Sequence, residues 1–393
     1  MRDAALGFPA AAGVTLLICF QARHPASRIP HPVTLDDLGW TPDRAAEMAP
    51  HEGRGWVPAR VAAEHRGAYV LYSADGELWA ELSGKYRHEA RHRADLPAVG
   101  DWVAASARPA EGGATIHALL PRRSAFARKA AGRELEAQVV AANVDVVFLV
   151  SALAGDLSPR RLERYLTLAW ESGASPAIVL TKADLCADVP AALREVESVA
   201  LGVPVHAVST VTGDGLEALR QYVGAGHTAA LLGSSGVGKS TLINWLLGEE
   251  RLRTAAVRES DGRGRHTTTH RELIALPDGG GLVIDTPGMR ELQLWEGDDD
   301  AGGLGDAFAD IEQLAAGCRF ADCAHQSEPA CAVLDAVASG ALPAERLASY
   351  RKLLRELRHL DAKLDARVRS EENRKVRALH RTMYAWLREN GRS

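Results

Sequence analysis

Along residues 55–120 apolar and polar positions alternate in short runs broken by turn residues. Val57–Glu64, Tyr69–Ser73, Leu78–Leu82, Asp101–Ala105 and Thr115–Leu119 read as strands, with turn pairs at Asp75-Gly76 and Gly112-Gly113. Five short strands suit a small barrel such as the OB-fold, which commonly holds nucleic acid; an SH3-like barrel shares the pattern. The next stretch, Pro121–Arg133, sets Arg122, Arg123, Arg128, Lys129 and Arg133 around Phe126. It reads equally as a basic linker that meets RNA and as a solvated connector.

From about residue 140 the pattern changes to strands alternating with helices. Val144–Val150 is a continuous β-branched run, as expected of a strand covered on both faces. Ser158 and Pro159 suit an N-cap and first turn, after which Leu162, Tyr165, Leu166 and Ala169 line one helical face. Strand-like runs recur at Ala177–Leu180, Val203–Val208, Thr228–Leu232, Glu272–Ala275 and Leu282–Ile284. That alternation predicts a doubly wound α/β sheet. After residue 300 the pattern is helical, with Leu347, Tyr350, Leu354, Leu357, Leu360 and Leu364 at three- and four-residue steps.

Length and composition admit this multidomain reading: 393 residues, 46% hydrophobic and 25% charged, describe a globular chain of two or three domains. The net charge of -5 is uneven. Residues 344–393 hold 14 Lys+Arg against 7 Asp+Glu, a basic end on an acidic body that suits a polyanionic partner. Of five cysteines, Cys318, Cys323 and Cys331 cluster, which reads as metal ligation in a reducing compartment; Cys19 and Cys186 read as scattered thiols. Ala10–Phe20 falls short of the roughly 20 apolar residues a bilayer requires and makes a poor signal peptide, so the chain is expected to be cytoplasmic with no membrane contact. Residues 1–50 are assigned to a leader, poorly ordered in part, within which 1–32 read as loose or as the product of a wrong start codon.

Gly233-Ser234-Ser235-Gly236-Val237-Gly238-Lys239-Ser240 fits G-x-x-x-x-G-K-[ST] and lies between a strand and the helix-like run from Thr241. The glycines let backbone N–H groups turn toward phosphates, Lys239 supplies a cation near the β and γ positions, and the Ser240 hydroxyl suits Mg²⁺. Asp285-Thr-Pro-Gly288 closes a second apolar strand; Asp285 suits the Mg²⁺ shell and the Gly288 N–H a γ-phosphate. Thr181-Lys182-Ala183-Asp184 ends a third strand. A carboxylate there can accept from guanine N1–H and its amino group, whereas adenine would leave it unpaired. The Lys182 stem can lie along the base, and Ser209-Thr210 can offer a backbone contact to guanine O6. Base recognition thus precedes the phosphate loop, the reverse of the ordinary order, which a permuted chain allows because domain termini lie close together.

Together with Pro97-Ala-Val-Gly-Asp-Trp102, Ala141-Ala-Asn-Val-Asp145, Arg160-Arg-Leu-Glu-Arg-Tyr165, Gly264-Arg-His-Thr-Thr-Thr269 and the spacing Cys318-x4-Cys323-x-His325-x5-Cys331, these motifs resemble the ribosome small-subunit-dependent GTPase A family over residues 33–393. The resemblance implies an N-terminal OB-fold (51–122, with RNA contact), a central circularly permuted P-loop GTPase domain (123–300) and a C-terminal helical zinc domain (301–393). It also implies GTP hydrolysis late in maturation of the small ribosomal subunit, with that subunit, its rRNA and GTP/GDP as partners, in a protein expected to be monomeric. The competing reading is a nucleotide-gated rRNA scaffold in which hydrolysis is incidental. Thr181 stands where many GTPases carry Asn, and Ser209-Thr210 replaces Ser-Ala.

Three thiolates and one imidazole, Cys318, Cys323, Cys331 and His325, make a closed tetrahedral set, so zinc is expected there in a structural role. Met289 stands where Ras-type GTPases place the Gln that orients water, and Met cannot do so. By the resemblance His266 is the candidate for that catalytic task, and one of Thr267, Thr268 and Thr269 closes onto Mg²⁺. The short step from Gly288 to Cys318 would let nucleotide state reach the zinc domain.

Overall fold

The computed structural model describes residues 33–65, 67–129, 137–200, 202–252, 271–285 and 307–355. The five expected barrel strands form as β1 (Val57–His65), β2 (Ala68–Ser73), β3 (Gly76–Leu82), β4 (Trp102–Arg108) and β5 (Gly113–Leu119). They pair in the order β1-β2-β3-β5-β4, and β4 returns to β1, closing the barrel; β3 and β5 run parallel and the other pairs antiparallel. Closure removes both edges and leaves Val61, Leu71, Leu78, Val103 and Ile116 in a small apolar core. A helix, α1 (Pro42–Glu52), precedes the barrel, capped by Thr41 with Pro42 in its first turn. Residues 33–52 are therefore no loose leader: Leu38, Arg44 and Met48 are buried where α1 packs on the barrel's first strand.

The stretch Pro121–Arg133 is not a linker either. Ala125–Lys129 is a strand, β6, paired antiparallel with β7 (Ala137–Ala142). Phe126 is buried, Arg122 makes a bidentate pair with buried Asp101, and Arg123 reaches Thr41 and Asp43. The run is basic because its arginines answer acceptors of the barrel and of α1.

The alternating region forms a parallel sheet from β8 (Val146–Ala152), β9 (Ser175–Thr181), β10 (Val205–Ala207), β11 (Thr228–Gly233) and β13 (Leu282–Asp285), in the order β10-β9-β8-β11-β13. The chain first builds outward from β8 on one side, then returns to β11 on the other. That reversal between β8 and β11 opens a crevice at the carboxyl ends of the strands, where open α/β sheets bind ligands. On one face lie α3 (Pro159–Glu171) and α4 (Val189–Glu197); on the other lies α5 (Lys239–Leu247), whose Leu242, Ile243 and Leu246 pack on Phe148, Val150 and Leu231. Ser158 takes the N-cap position of α3 without a side-chain bond, so Pro159 and packing begin that helix.

An antiparallel strand, β12 (Glu272–Ala275), flanks β13 and also meets β1 at Ala63↔Glu272, so barrel and sheet are continuous. In the C-terminal part α6 (Ala309–Ala315), α7 (Ala332–Ala338) and a helix over 344–355 set Phe308, Ile311, Val333, Leu347 and Tyr350 into the same core as α3. Leu357, Leu360, Leu364 and the rest of the basic end lie outside the described residues. Among the described residues no helix is long and apolar enough to cross a membrane.

Candidate functional site

The phosphate loop follows β11 and opens α5, as its sequence context requires. Gly233 must be glycine because β11 lies so close to β8 that a Cβ would stand 2.2 Å from the Val150 carbonyl oxygen. Gly236 and Gly238 have φ of +76° and +100°, a region that side chains oppose. Those two turns leave Ser234, Ser235 and Gly236 at the surface while Val237 is buried. Lys239, Ser240 and Thr241 occupy the first turn of α5, half-buried. The Lys239 ammonium donates to the carbonyls of Gly233 and Ser234 at 2.8 and 2.6 Å, which fastens the loop around its cation.

Thr181 ends β9, one strand beyond β8, and is buried. Its hydroxyl contacts the Val237 carbonyl at 2.5 Å and the Ser151 carbonyl at 3.3 Å. The base motif is thereby tied to the phosphate loop by a side chain 56 residues away in sequence. Lys182 follows in the left-handed region at φ +58°, turning the chain so that Ala183 N–H reaches the Val208 carbonyl and Asp184 faces outward. Ser209, buried at the end of β10, donates from Oγ to Asp184 Oδ1 at 2.6 Å. Its Oγ also accepts from the N–H groups of Val211 and Thr212. Thr210 is half-buried beside it. One carboxylate oxygen is thus fixed by Ser209, and the motif's acceptor is oriented before any base arrives.

Asp285 ends β13 directly across from Glu272 of β12. Burial, and next the Glu272 carboxylate, push the Asp285 carboxyl up to about 6, while Lys239 pulls it down. A divalent cation would reverse that shift, so Asp285 and the Ser240 hydroxyl fit a Mg²⁺ shell. Glu272 is itself held by Arg251 at 2.9 Å, and Asn244 of α5 clamps both the N–H and the carbonyl of Leu252 at 2.7 Å. Sequence reasoning missed Arg251, Asn244 and Glu272, because their pairing depends on β12 folding back along β13. Gly288, His266, Thr267, Thr268, Thr269 and Met289 lie outside the described residues.

At the other end of the chain Cys318, Cys323, His325 and Cys331 bring their ligand atoms within 4.8 Å of one another. Cys318 and Cys331 Sγ are 3.8 Å apart, and His325 Nδ1 lies 3.6 and 3.4 Å from them. A tetrahedron with metal–thiolate bonds of about 2.3 Å has edges of about 3.8 Å, so the set fits a four-coordinate ion. Burial holds His325 below its ordinary value, which favours the neutral ring a metal needs. The Glu328 carboxylate, unremarked in sequence, accepts from the N–H groups of Ala324, Gln326 and Ser327 and so shapes the turn that presents His325.

Comparison with known proteins gives three findings. The family model described as RsgA GTPase matches residues 119–295. The Small ribosomal subunit biogenesis GTPase RsgA of Opitutus terrae is 48% identical over 92% of this chain and 100% of its own length. Among solved structures, YjeQ from Thermotoga maritima matches with a TM-score of 0.58 and 29% identity, covering 77% of this chain and 98% of that one. YloQ, described as a circularly permuted GTPase, matches in fold with a TM-score of 0.57 over 79% of this chain and 97% of its own.

Proposed function

The chain belongs to the RsgA GTPase family, and from that premise we propose that it hydrolyses GTP while docked on the small ribosomal subunit, late in that subunit's maturation. It is a GTP-hydrolysing enzyme of small-subunit biogenesis, as its relatives are named. In this reading Asp184, oriented by Ser209, accepts from guanine, with Thr181, Lys182, Ala183 and Thr210 forming the rest of the base pocket. Gly233 to Thr241 cradle the phosphates. Ser240 and Asp285 would hold Mg²⁺, which when bound supplies charge neutralisation at the β and γ phosphates. Gly288 and His266 keep the roles assigned from sequence: γ-phosphate contact and orientation of water.

The observation that supports this assignment best is the bond from the Thr181 hydroxyl to the Val237 carbonyl, because it joins base and phosphate sites into one nucleotide site at the crevice. Zinc is the ion proposed at the Cys₃His cluster, since borderline-soft, tetrahedral chemistry suits three thiolates and an imidazole. Ribosomal RNA contact, a cytoplasmic location and a monomeric state are proposed with it, as is the division at residues 122 and 300.

The test is phosphate release from GTP and from ATP, with and without isolated small ribosomal subunits. Slow turnover of GTP alone, raised sharply by the subunit, is the expected result. Equal turnover of ATP would overturn the role of Asp184, and no stimulation would overturn the role of the subunit.

A further inference from the structure

The segment that carries His266 and the three threonines leaves the described sheet at Leu252 and rejoins it at Arg271. Both ends are held by ion pairs that converge on β12. On the outgoing side Arg251 pairs with Glu272 at 2.9 Å. On the returning side Arg271 pairs with Glu64 at 3.6 Å, and Glu64 belongs to the barrel, near the end of β1. The next residue, Glu272, is the one at which β12 meets Ala63 of that strand. One residue further, the Leu273 carbonyl accepts from the buried Tyr72 hydroxyl of β2 at 3.3 Å. The barrel therefore holds the root of this segment by three successive residues.

Glu64 faces an excess of cations. Besides Arg271, the charges of Arg128 on β6 and Arg93 on the connection between β3 and β4 act on its carboxyl. Arg271 and Arg128 also act on each other, as like charges do. Three arginines from three separate parts of the chain thus surround one carboxylate, leaving two positive charges unmatched at the junction of barrel and sheet. The Arg271–Glu64 pair is part-exposed, with side chains 15% and 34% accessible. An arginine fork that accepts a carboxylate accepts a phosphate with the same geometry.

We infer that Glu64 is an internal stand-in for an RNA phosphate, and that a phosphate of the docked small subunit takes its place on Arg271, Arg128 and Arg93 and so resets the root of the segment bearing His266. This rests on the proposed docking of the small subunit. It gives that docking a route into turnover: the partner exchanges one anion for another at Arg271, two residues from Thr269 and beside the strand that pairs with Asp285. Arg271 acts as a positioning residue.

The test uses the full-length protein, isolated small subunits and a non-hydrolysable GTP analogue, with binding measured across a range of salt concentrations. Arg271→Gln is expected to lower the salt slope of binding by about one, as loss of one phosphate contact does. It is also expected to cut the ratio of stimulated to unstimulated GTP turnover by about tenfold, within the range of ordinary coupling between sites. Arg271→Lys should keep the salt slope, and Glu64→Gln should tighten binding several-fold by removing the competing anion. Thermal melting confirms that each variant folds, and a merely structural role for Arg271 would not move the salt slope. If Arg271→Gln, folded, matches the wild type in slope and stimulation, the inference is wrong. If the wild type itself neither binds nor responds to the subunit, the functional reading fails and takes the inference with it.

Discussion

Two buried arginines join the flanking parts of the molecule to the central sheet, one on the barrel side and one on the side of the metal cluster. Arg60, in β1, spends its donors on backbone: the carbonyls of Leu38, Gly100 and Asn143. Around it Asn143, at φ +54°, accepts from Arg44 and from Arg123 N–H and donates to Gly100, so α1, barrel and sheet share one polar knot. Arg346, in the C-terminal helix, instead meets carboxylates. It grips Asp310 through Nε and Nη2 at 2.6 and 2.7 Å and reaches Glu163 of α3 at 3.2 Å, with the Val199 and Ala307 carbonyls taking its remaining donors. Its guanidinium lies 4.7 Å from the Phe308 ring centroid, and Phe308 packs edge-on against Tyr350, which neighbours His325. The barrel side is thus fastened by partners that do not titrate and by a strand pair. The metal side is fastened by partners that do titrate and by a chain of rings leading to the metal ligands. One junction is built to stay fixed, and the other can respond.

The largest effect expected from this difference comes from removing the metal. A structural ion of this type contributes about 10–16 kcal/mol to folding of small zinc units at neutral pH. Chelation should therefore unfold the region around the cluster, loosen the Arg346 grip and raise hydrogen exchange in α3 near Glu163, while β1 and the segment around Asn143 keep their protection. Equal deprotection of both regions would show that the two junctions are not distinct.

Next in size is Arg346→Met, which leaves Glu163 and Asp310 without their shared cation. Breaking a buried pair in this way costs about 3–5 kcal/mol. The pH dependence identifies the cause. Burial already raises the Glu163 carboxyl above its ordinary value, against the pull of Arg346. A carboxyl raised on folding gives stability that is present below its unfolded pKa and lost as pH rises through the folded one. Without Arg346 the rise is larger, so the deficit relative to wild type should be smaller near pH 5 than near pH 8. Chemical denaturation at both values checks this; a deficit independent of pH would mean that the carboxylates are not the partners that matter.

The strands, the phosphate loop and the base motif were legible in sequence because each is set by neighbours within a few residues: alternation, a glycine turn, a strand end. Their joining was less so. Ser209 and Asp184 could be assigned to one pocket, but the hydroxyl bond that orients the carboxylate needed the register of β10 on β9. Asn143 and Glu163 stood inside motifs that carried the family resemblance, yet their partners lie up to 183 residues away and no periodicity encodes them. Pro121–Arg133 misled for a physical reason: its cations satisfy acceptors of other elements, and composition alone reports only that they are charged. The same holds for α1, whose apolar face is short and whose burial depends on a barrel that sequence placed separately.

The smallest effect should come from Arg60→Met. Burial pushes the Arg60 guanidinium down to about 10, so this side chain is costly to keep charged as well as useful. Replacement removes that cost but leaves three carbonyls without a donor, and the net loss should be about 1–3 kcal/mol. A base lowered on folding makes stability rise with pH between its folded and unfolded values, here from about 10 toward 12.5. Between pH 5 and 8 the deficit of Arg60→Met should accordingly be flat, in contrast to that of Arg346→Met. Denaturation of the two variants side by side at pH 5 and pH 8 reads the contrast directly. A slope for Arg60→Met matching that of Arg346→Met would mean that Asp101 and Asp145, whose fields reach Arg60, bear its charge more than the carbonyls do, and the barrel junction would then belong to the same responsive kind as the other.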